Sequence, residues 1–279
     1  MLRSYDRKLD QRLFSDIDLR YVRGFDMFLQ KRGCCGNTRK FYFKALRAIL
    51  NRANAEGVGS AATYPFGRGG FEVSKLEEAT AKRYLPAAEL SKLKSTTASN
   101  PQCEYARKLF LFSYYCYGIS FIDMAMLTAA HIKQMEDGNY IVYKRQKIKR
   151  QKGVKPISIK ITPAIRQLIG SLQAASPTVD DFLLPIVTRS GYTGERLYMH
   201  IRTRYSKYQK YLRLLAEELG IDFHLTSYVS RHTAAMTLQR NHIPREVISQ
   251  MLGHADLETT NVYLDSFDNG VINEAAKVL

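Results

Sequence analysis

The chain has 279 residues, enough for one large or two ordinary domains at about 150 residues per domain. Lys and Arg number 42 against 26 Asp and Glu, a formal charge of +16, while 45% of residues are hydrophobic. This composition excludes a disordered tail, a collagen-like fibre and a small disulfide scaffold. No stretch approaches the ~18 consecutive apolar residues of a membrane span. The opening MLRSYDRKLDQRLF lacks the apolar centre of a signal peptide. Cys34 and Cys35 are adjacent, Cys103 and Cys116 are scattered, and no CxxC spacing occurs, which fits reduced thiols in a cytoplasm. The excess charge calls for a polyanionic partner, without distinguishing DNA from RNA or an anionic membrane.

Residues 1–63 carry 13 basic and 6 acidic side chains and are expected to form a small helical domain. From Phe14, the residues Ile17, Tyr21, Val22, Phe25, Phe28 and Leu29 recur at helical spacing, and Gly33 ends the pattern. A second helix is expected from an Asn37 cap to a Gly57 stop, with Phe41, Ala45, Leu46, Ile49 and Leu50 on one face. Arg39, Lys40, Lys44 and Arg47 fall mainly elsewhere on it. Each could be an ordinary solvated charge, but as a group they suggest groove or phosphate contact. Residues 64–83, broken by Pro65, Gly67, Gly69 and Gly70, read as a linker to a second domain at 84–279.

PAAELSKLKS and NPQCEYARKLFLFSYYCYG read as helices, the latter apolar enough to be central to a core. Around 138–161 the period shifts toward two, and two strands are expected with Ile141, Tyr143, Ile157, Ile159 and Ile161 turned inward. Between them, IKRQKG suits an exposed hairpin turn. TPAIRQLIGSLQ, the tyrosine-rich basic segment 202–219 and the remainder from Ser227 return to helix. The fold class expected is therefore mainly α with a small antiparallel sheet.

One segment, 225–267, is more specific. Arg231 and His232 are followed by LGH ending at His254, 23 residues after Arg231, and by Tyr263 nine residues later, after a TT pair. These residue types at these spacings resemble the C-terminal signature of tyrosine recombinases, the family of phage integrases and conjugative-transposon integrases. The likeness extends over about Phe14 to Leu279. It implies a helical core-binding (SAM-like) domain followed by a tyrosine-recombinase catalytic domain.

The chemistry of these residues is coherent. A tyrosine phenolate attacking a DNA phosphodiester conserves the bond energy in a phosphotyrosine, so rejoining needs neither ATP nor metal, and no cofactor is expected. Arg231 offers a permanent planar fork to two phosphate oxygens, and His254 can donate to the same phosphate. Tyr263 is the nucleophile by position. Lys147 lies where the family places the lysine that protonates the leaving 5′ oxygen, although segment 144–160 has eight basic residues, and Lys144, Lys149, Arg150 or Lys152 compete for that role. Lys149 and Arg150 are also expected at DNA, with Arg202 and Arg204.

Two positions depart from the family pattern. Ser120, in YGISFIDM, stands where a first arginine is usual, and Tyr228 stands where a histidine commonly precedes the second arginine by three residues. One branch, which includes conjugative-transposon integrases, shares the serine. Arg145, two residues before Lys147 and expected on the same face of a strand, could restore the missing charge, with Ser120 adding a hydroxyl and Tyr228 donating its phenolic hydrogen.

The resemblance implies an integrase or excisionase-assisted recombinase of a mobile element, in the bacterial cytoplasm and on the nucleoid when DNA-bound. Its partners would be duplex attachment or crossover sites clamped between the two domains, DNA-bending accessory proteins, and a homo-tetramer on DNA. The tetramer would form through Val271, Ile272, Ala275, Val278 and Leu279, unless these merely cap their own domain. A resolvase or DNA-inversion recombinase, or a catalytically silent DNA-binding protein, are the alternatives. Integrases of this branch usually carry a further N-terminal arm-binding domain; the residues before Phe14 are too few for it, so the chain is expected to be either a piece of a longer integrase or a shorter recombinase.

Overall fold

The computed structural model describes residues 1–78, 84–253, 260 and 264. The chain divides into two compact units, Met1–Ala81 and Lys82–Leu279.

The first unit contains α1 (Leu2–Tyr5), α2 (Leu19–Lys31) and α3 (Gly36–Ala55). Asp18 caps α2 by accepting from the Tyr21 amide at 2.8 Å, and Val22, Phe25 and Leu29 form its buried face. Helix α3 begins one residue before the expected Asn37 cap. The Asn37 side chain instead donates to the Glu78 carbonyl at 2.6 Å and accepts from the Glu78 amide at 3.3 Å.

The core-facing side of α3 also differs from the expected one. Phe43, Leu46, Leu50 and Ala53 are buried, whereas Phe41 is 68% and Ile49 54% exposed. The reason lies in residues 64–76, which are not a linker. Phe66 and Val73 are buried with Phe43, and the Phe71 ring sits 4.4 Å from that of Phe43. The glycines here make a tight turn closed by the Phe71 amide on the Pro65 carbonyl at 2.7 Å. Burial of these rings draws α3 round onto its Phe43 side and extends the unit past residue 63.

The second unit contains α4 (Ala87–Ser95), α5 (Pro101–Tyr115), α6 (Phe121–Ala125), strands β1 (Ile132–Met135), β2 (Gly138–Tyr143) and β3 (Ile157–Lys160), then α7 (Pro163–Ala175), α8 (Gly194–Glu218), α9 (Val229–Arg240) and α10 (Arg245–Leu252). Asn100 and Thr162 cap α5 and α7, each followed by Pro at the first helical position. Helix α5 is central: Leu109, Phe110 and Phe112 have no exposed surface, and it packs against α7, α8 and α9.

The antiparallel sheet runs in the order β1-β2-β3, pairing Ile141 with Ile159 and Tyr143 with Ile157. Those four are buried and Ile161 is half-buried against the same core, so the expected inward set holds. Strand β1, IKQM, is short and mostly exposed, and its pattern gave no sign of it. Mainly helical with a small antiparallel sheet is thus the fold class observed.

Candidate active site

Arg231 sits in the first turn of α9 and is only 4% exposed. Its Nη1 donates to the Gly118 carbonyl at 3.1 Å and its Nη2 to the Leu252 carbonyl. Gly118 closes the turn after α5 at φ +71°, and a Cβ there would lie 2.4 Å from the Arg231 Cα. Only glycine permits that approach. Helix α10 ends on Gly253 in the left-handed conformation, φ +64°, where a Cβ would meet Ile157 Cδ1 at 2.4 Å. The Gly253 carbonyl accepts from Arg145 Nη1 at 3.2 Å. Backbone carbonyls at helix C-terminal ends, which carry partial negative charge, therefore hold both guanidiniums.

Ser120 caps α6. Its hydroxyl donates to Asp123 Oδ2 at 2.6 Å, and the other oxygen of the buried Asp123 accepts from the Gln146 amide at 2.7 Å. Asp123 thereby joins α6 to the basic turn after β2. That turn corrects one expectation: β2 ends at Tyr143, so Arg145 and Lys147 are not on a strand. The chain leaves the ladder and folds through bonds from the Ile148 amide to the Arg145 carbonyl (3.1 Å) and from the Gln151 amide to the Ile148 carbonyl (2.9 Å). The alternation that would align the two side chains is lost there. Arg145 turns to Gly253, while Lys147, Lys149 and Arg150 are exposed. Tyr143, at the strand end, is buried beneath, and that burial pushes its phenol far above the ordinary tyrosine range.

Ser120, Arg145, Tyr228 and Arg231 all border one cavity of about 380 Å³, together with Arg202, Tyr198 and Tyr205 of α8. Lys147 is not among the described residues that line it. Tyr228 precedes α9, is 50% exposed, and meets the His232 ring edge to face at 5.2 Å. Under the cavity lies a hydroxyl pair, Ser113 and Ser230, 2.7 Å apart. The Ile119 carbonyl lies 2.8 Å from the Ser113 hydroxyl and the Ser227 carbonyl 2.7 Å from that of Ser230. One serine therefore donates to its carbonyl while the other donates to its partner or its own carbonyl, tying the two walls to α5 and α9. Sequence reasoning missed this pair, Asp123's bridging role, Tyr198 and Tyr205. The serines carried no local signal, since only the fold brings positions 117 residues apart together. His254, Tyr263 and the expected tail helix face lie outside the described residues.

The expected DNA-contacting side chains separate into two groups. Arg39 donates to both oxygens of Asp26, at 3.0 and 2.9 Å, with both side chains largely buried. It is a structural ion pair of the first unit. Lys40 pairs with Glu77 at 2.6 Å, and that bond holds the Glu77 carboxyl below its ordinary range. Lys44 and Arg47 are exposed and share an open groove of about 650 Å³ with Lys40, Arg68 and Ser74. Arg68, in the glycine turn, was not singled out from the sequence. In the second unit Arg202 borders the central cavity, whereas Arg204 lies over the Tyr105 ring at 5.9 Å.

Comparison with known proteins identifies the family. Residues 83–269 match the profile of the phage integrase family, and residues 1–73 that of the phage integrase SAM-like domain. Tyrosine recombinase XerD of Halalkalibacterium halodurans is 41% identical over 54 residues, 19% of this chain and 18% of that protein. Tyrosine recombinase XerC of Rhodospirillum centenum is 31% identical over 114 residues, 41% of this chain and 31% of that one. The matched stretches thus span less than a third of either curated relative. The Tn1549 transposon integrase, solved in complex with transposon right end DNA, superposes with a TM-score of 0.68 over 98% of this chain and 90% of that one. At 12% identity, that likeness is one of fold.

Proposed function

The chain belongs to the phage integrase family, the tyrosine recombinases, and from that premise we propose that it is a site-specific DNA recombinase that integrates or excises a mobile element. The observation that carries this reading is the cavity where Arg231, Arg145, Ser120 and Tyr228, from four separate segments, converge. Two guanidiniums held by carbonyls form a preorganised anion site, the requirement for stabilising a phosphorane. Duplex DNA is the substrate, as in the solved transposon integrase complex.

In the reaction, the Tyr263 oxygen bonds to phosphorus as the bond to the 5′ oxygen breaks. The leaving oxygen takes a proton from Lys147 on the exposed turn, and a 3′-phosphotyrosine remains. Attack by a 5′ hydroxyl of another strand reverses the step. Arg231 and His254 bind the non-bridging oxygens. Arg145 supplies the charge that Ser120 cannot, a reading in keeping with the conjugative-transposon branch that shares the serine. Ser120 now donates to Asp123, so it contributes a hydroxyl to phosphate only by turning from that carboxylate. Four protomers assemble on DNA through the C-terminal segment.

The test is a nicked suicide duplex carrying the crossover site. Wild type is expected to give a covalent protein–DNA band on a denaturing gel, and Tyr263→Phe none. A wild type that binds the site and never yields the band makes this a silent DNA-binding protein. Inversion or resolution of a plasmid carrying two sites, without integration, makes it a resolvase or invertase.

A further inference from the structure

The cavity beside Arg231 holds more than phosphoryl transfer needs. A phosphate requires cations and hydrogen-bond donors, and Arg231, Arg145 and Ser120 border it. The rest of the lining is of another kind. Tyr198, Tyr205 and Tyr228 are 59%, 37% and 50% exposed, and all three border this cavity. Ile119 and Ile201, buried at 2% and 3% exposure, complete the apolar surface. Exposed aromatic rings gathered round one concavity mark a binding site more than a packing residue.

The Tyr205 ring is also held in place. Tyr205 meets the Phe121 ring at 5.3 Å, its hydroxyl accepts from Gln209 Nε2 at 2.8 Å, and it shares a 3.1 Å bond with Ser227 Oγ. Gln209 Oε1 in turn accepts from the Ser227 amide at 2.9 Å, fixing the loop that leads to Tyr228. Arg202, one turn along α8 from Tyr198, adds an exposed cation.

We propose that this cavity receives a nucleobase, unstacked from the duplex next to the phosphate that the arginines hold. The proposal rests on the recombinase reading, since it takes the phosphate as that of a bound DNA strand. Aromatic faces with neighbouring guanidiniums are the chemistry that binds unpaired bases, and the stacking offsets the cost of leaving the helix. Because every base presents such a face, the tyrosines favour ease of unstacking over base identity. Arg202 and Ser227 supply donors toward a base edge.

The experiment uses the full chain and a duplex selected by binding from a random-sequence pool, with 2-aminopurine placed at each central position in turn. The chain has no tryptophan, so excitation beyond the tyrosine band reads the probe alone. Wild type is expected to raise emission severalfold at one or two adjacent positions and to form the covalent band on the same duplex. Tyr198→Ala removes most of the rise and weakens binding about tenfold, with its melting temperature checked, while Tyr198→Phe keeps both. Flat emission at every position, on a duplex that still gives the covalent band, overturns the base pocket and leaves the recombinase standing. A rise that persists in Tyr198→Ala and Tyr228→Ala overturns it equally. Flat emission without any covalent band removes both readings.

Discussion

Arg231 and Arg145 donate to consecutive carbonyls, those of Leu252 and Gly253, the two residues immediately ahead of His254. The turn that ends α10 is therefore gripped from α9 and from the basic turn after β2 at once. This makes Gly253 a point of high sensitivity. Gly253→Ala must hold a side chain at φ +64° and press on Ile157. It should cost about 1–3 kcal/mol, read as a lower melting temperature, and should slow strand cleavage. Gly118→Ala should cost at least as much, because its Cβ meets Arg231 backbone that cannot swing aside.

Loss of Arg145 tests whether its charge serves the phosphate as proposed. Arg145→Ala should lower the rate of covalent complex formation by about 10²–10³, the typical cost of one charged donor in a preorganised site. Binding of the site DNA should change far less. A near-normal rate of covalent complex formation would dismiss the role.

The basic side chains of the first unit should divide by salt dependence. For Lys44→Ala, Arg47→Ala and Arg68→Ala, the slope of log affinity against log salt should shrink by about 0.9 for each phosphate that is no longer neutralised. Arg39→Ala should leave that slope unchanged and instead destabilise the unit by about 1–3 kcal/mol, since it leaves the buried Asp26 carboxylate with the Gln30 amide and no cation. Fluorescence anisotropy across a salt series and thermal unfolding separate the two outcomes. Arg39 changing the slope, with stability intact, would count against the assignment.

The hydroxyl pair under the cavity gives a test of coupling. Ser113→Ala and Ser230→Ala should each cost about 1–2 kcal/mol, and the double variant should cost clearly less than their sum. Strict additivity in denaturant titrations would show that the two hydroxyls act separately.

Acid stability of the second unit should depend on Glu104. Burial raises its carboxyl pKa, but the bonds from Arg107 and the Ala98 amide outweigh this and leave it below its ordinary value. A carboxyl with a lowered folded value stabilises fully above its unfolded pKa, about 4.3, and that contribution is lost as pH falls through the folded value. Glu104→Gln should therefore be less stable at neutral pH and show a flatter decline below about pH 4.3. Parallel acid-unfolding curves for the two proteins would refute the assignment.

What is legible in the amino-acid order is what is local. The family is recognisable from the spacing of Arg231, His254 and Tyr263, and the apolar runs of α5, β2 and β3 from their period. The errors share one cause, namely partners distant in the chain. Helix α3 carries two apolar arcs, one through Phe41 and Ile49 and one through Phe43 and Leu50, and only the packing of Phe66, Phe71 and Val73 decides which is buried. Arg39 looked like its basic neighbours until α2 brought Asp26 within reach. The turn after β2 is held by Asp123, 23 residues from the Gln146 amide it accepts from.

The carboxylate of Asp123 answers to two masters, one oxygen for Ser120 and one for Gln146. Any excursion of the basic turn that pulls Gln146 away leaves a buried negative oxygen in want of a proton donor. Ser120 has a single hydroxyl hydrogen, already given to the other oxygen, and cannot serve both. Seating of the basic turn against α6 is therefore what keeps this carboxylate whole, and a shift of one must disturb the footing of the other.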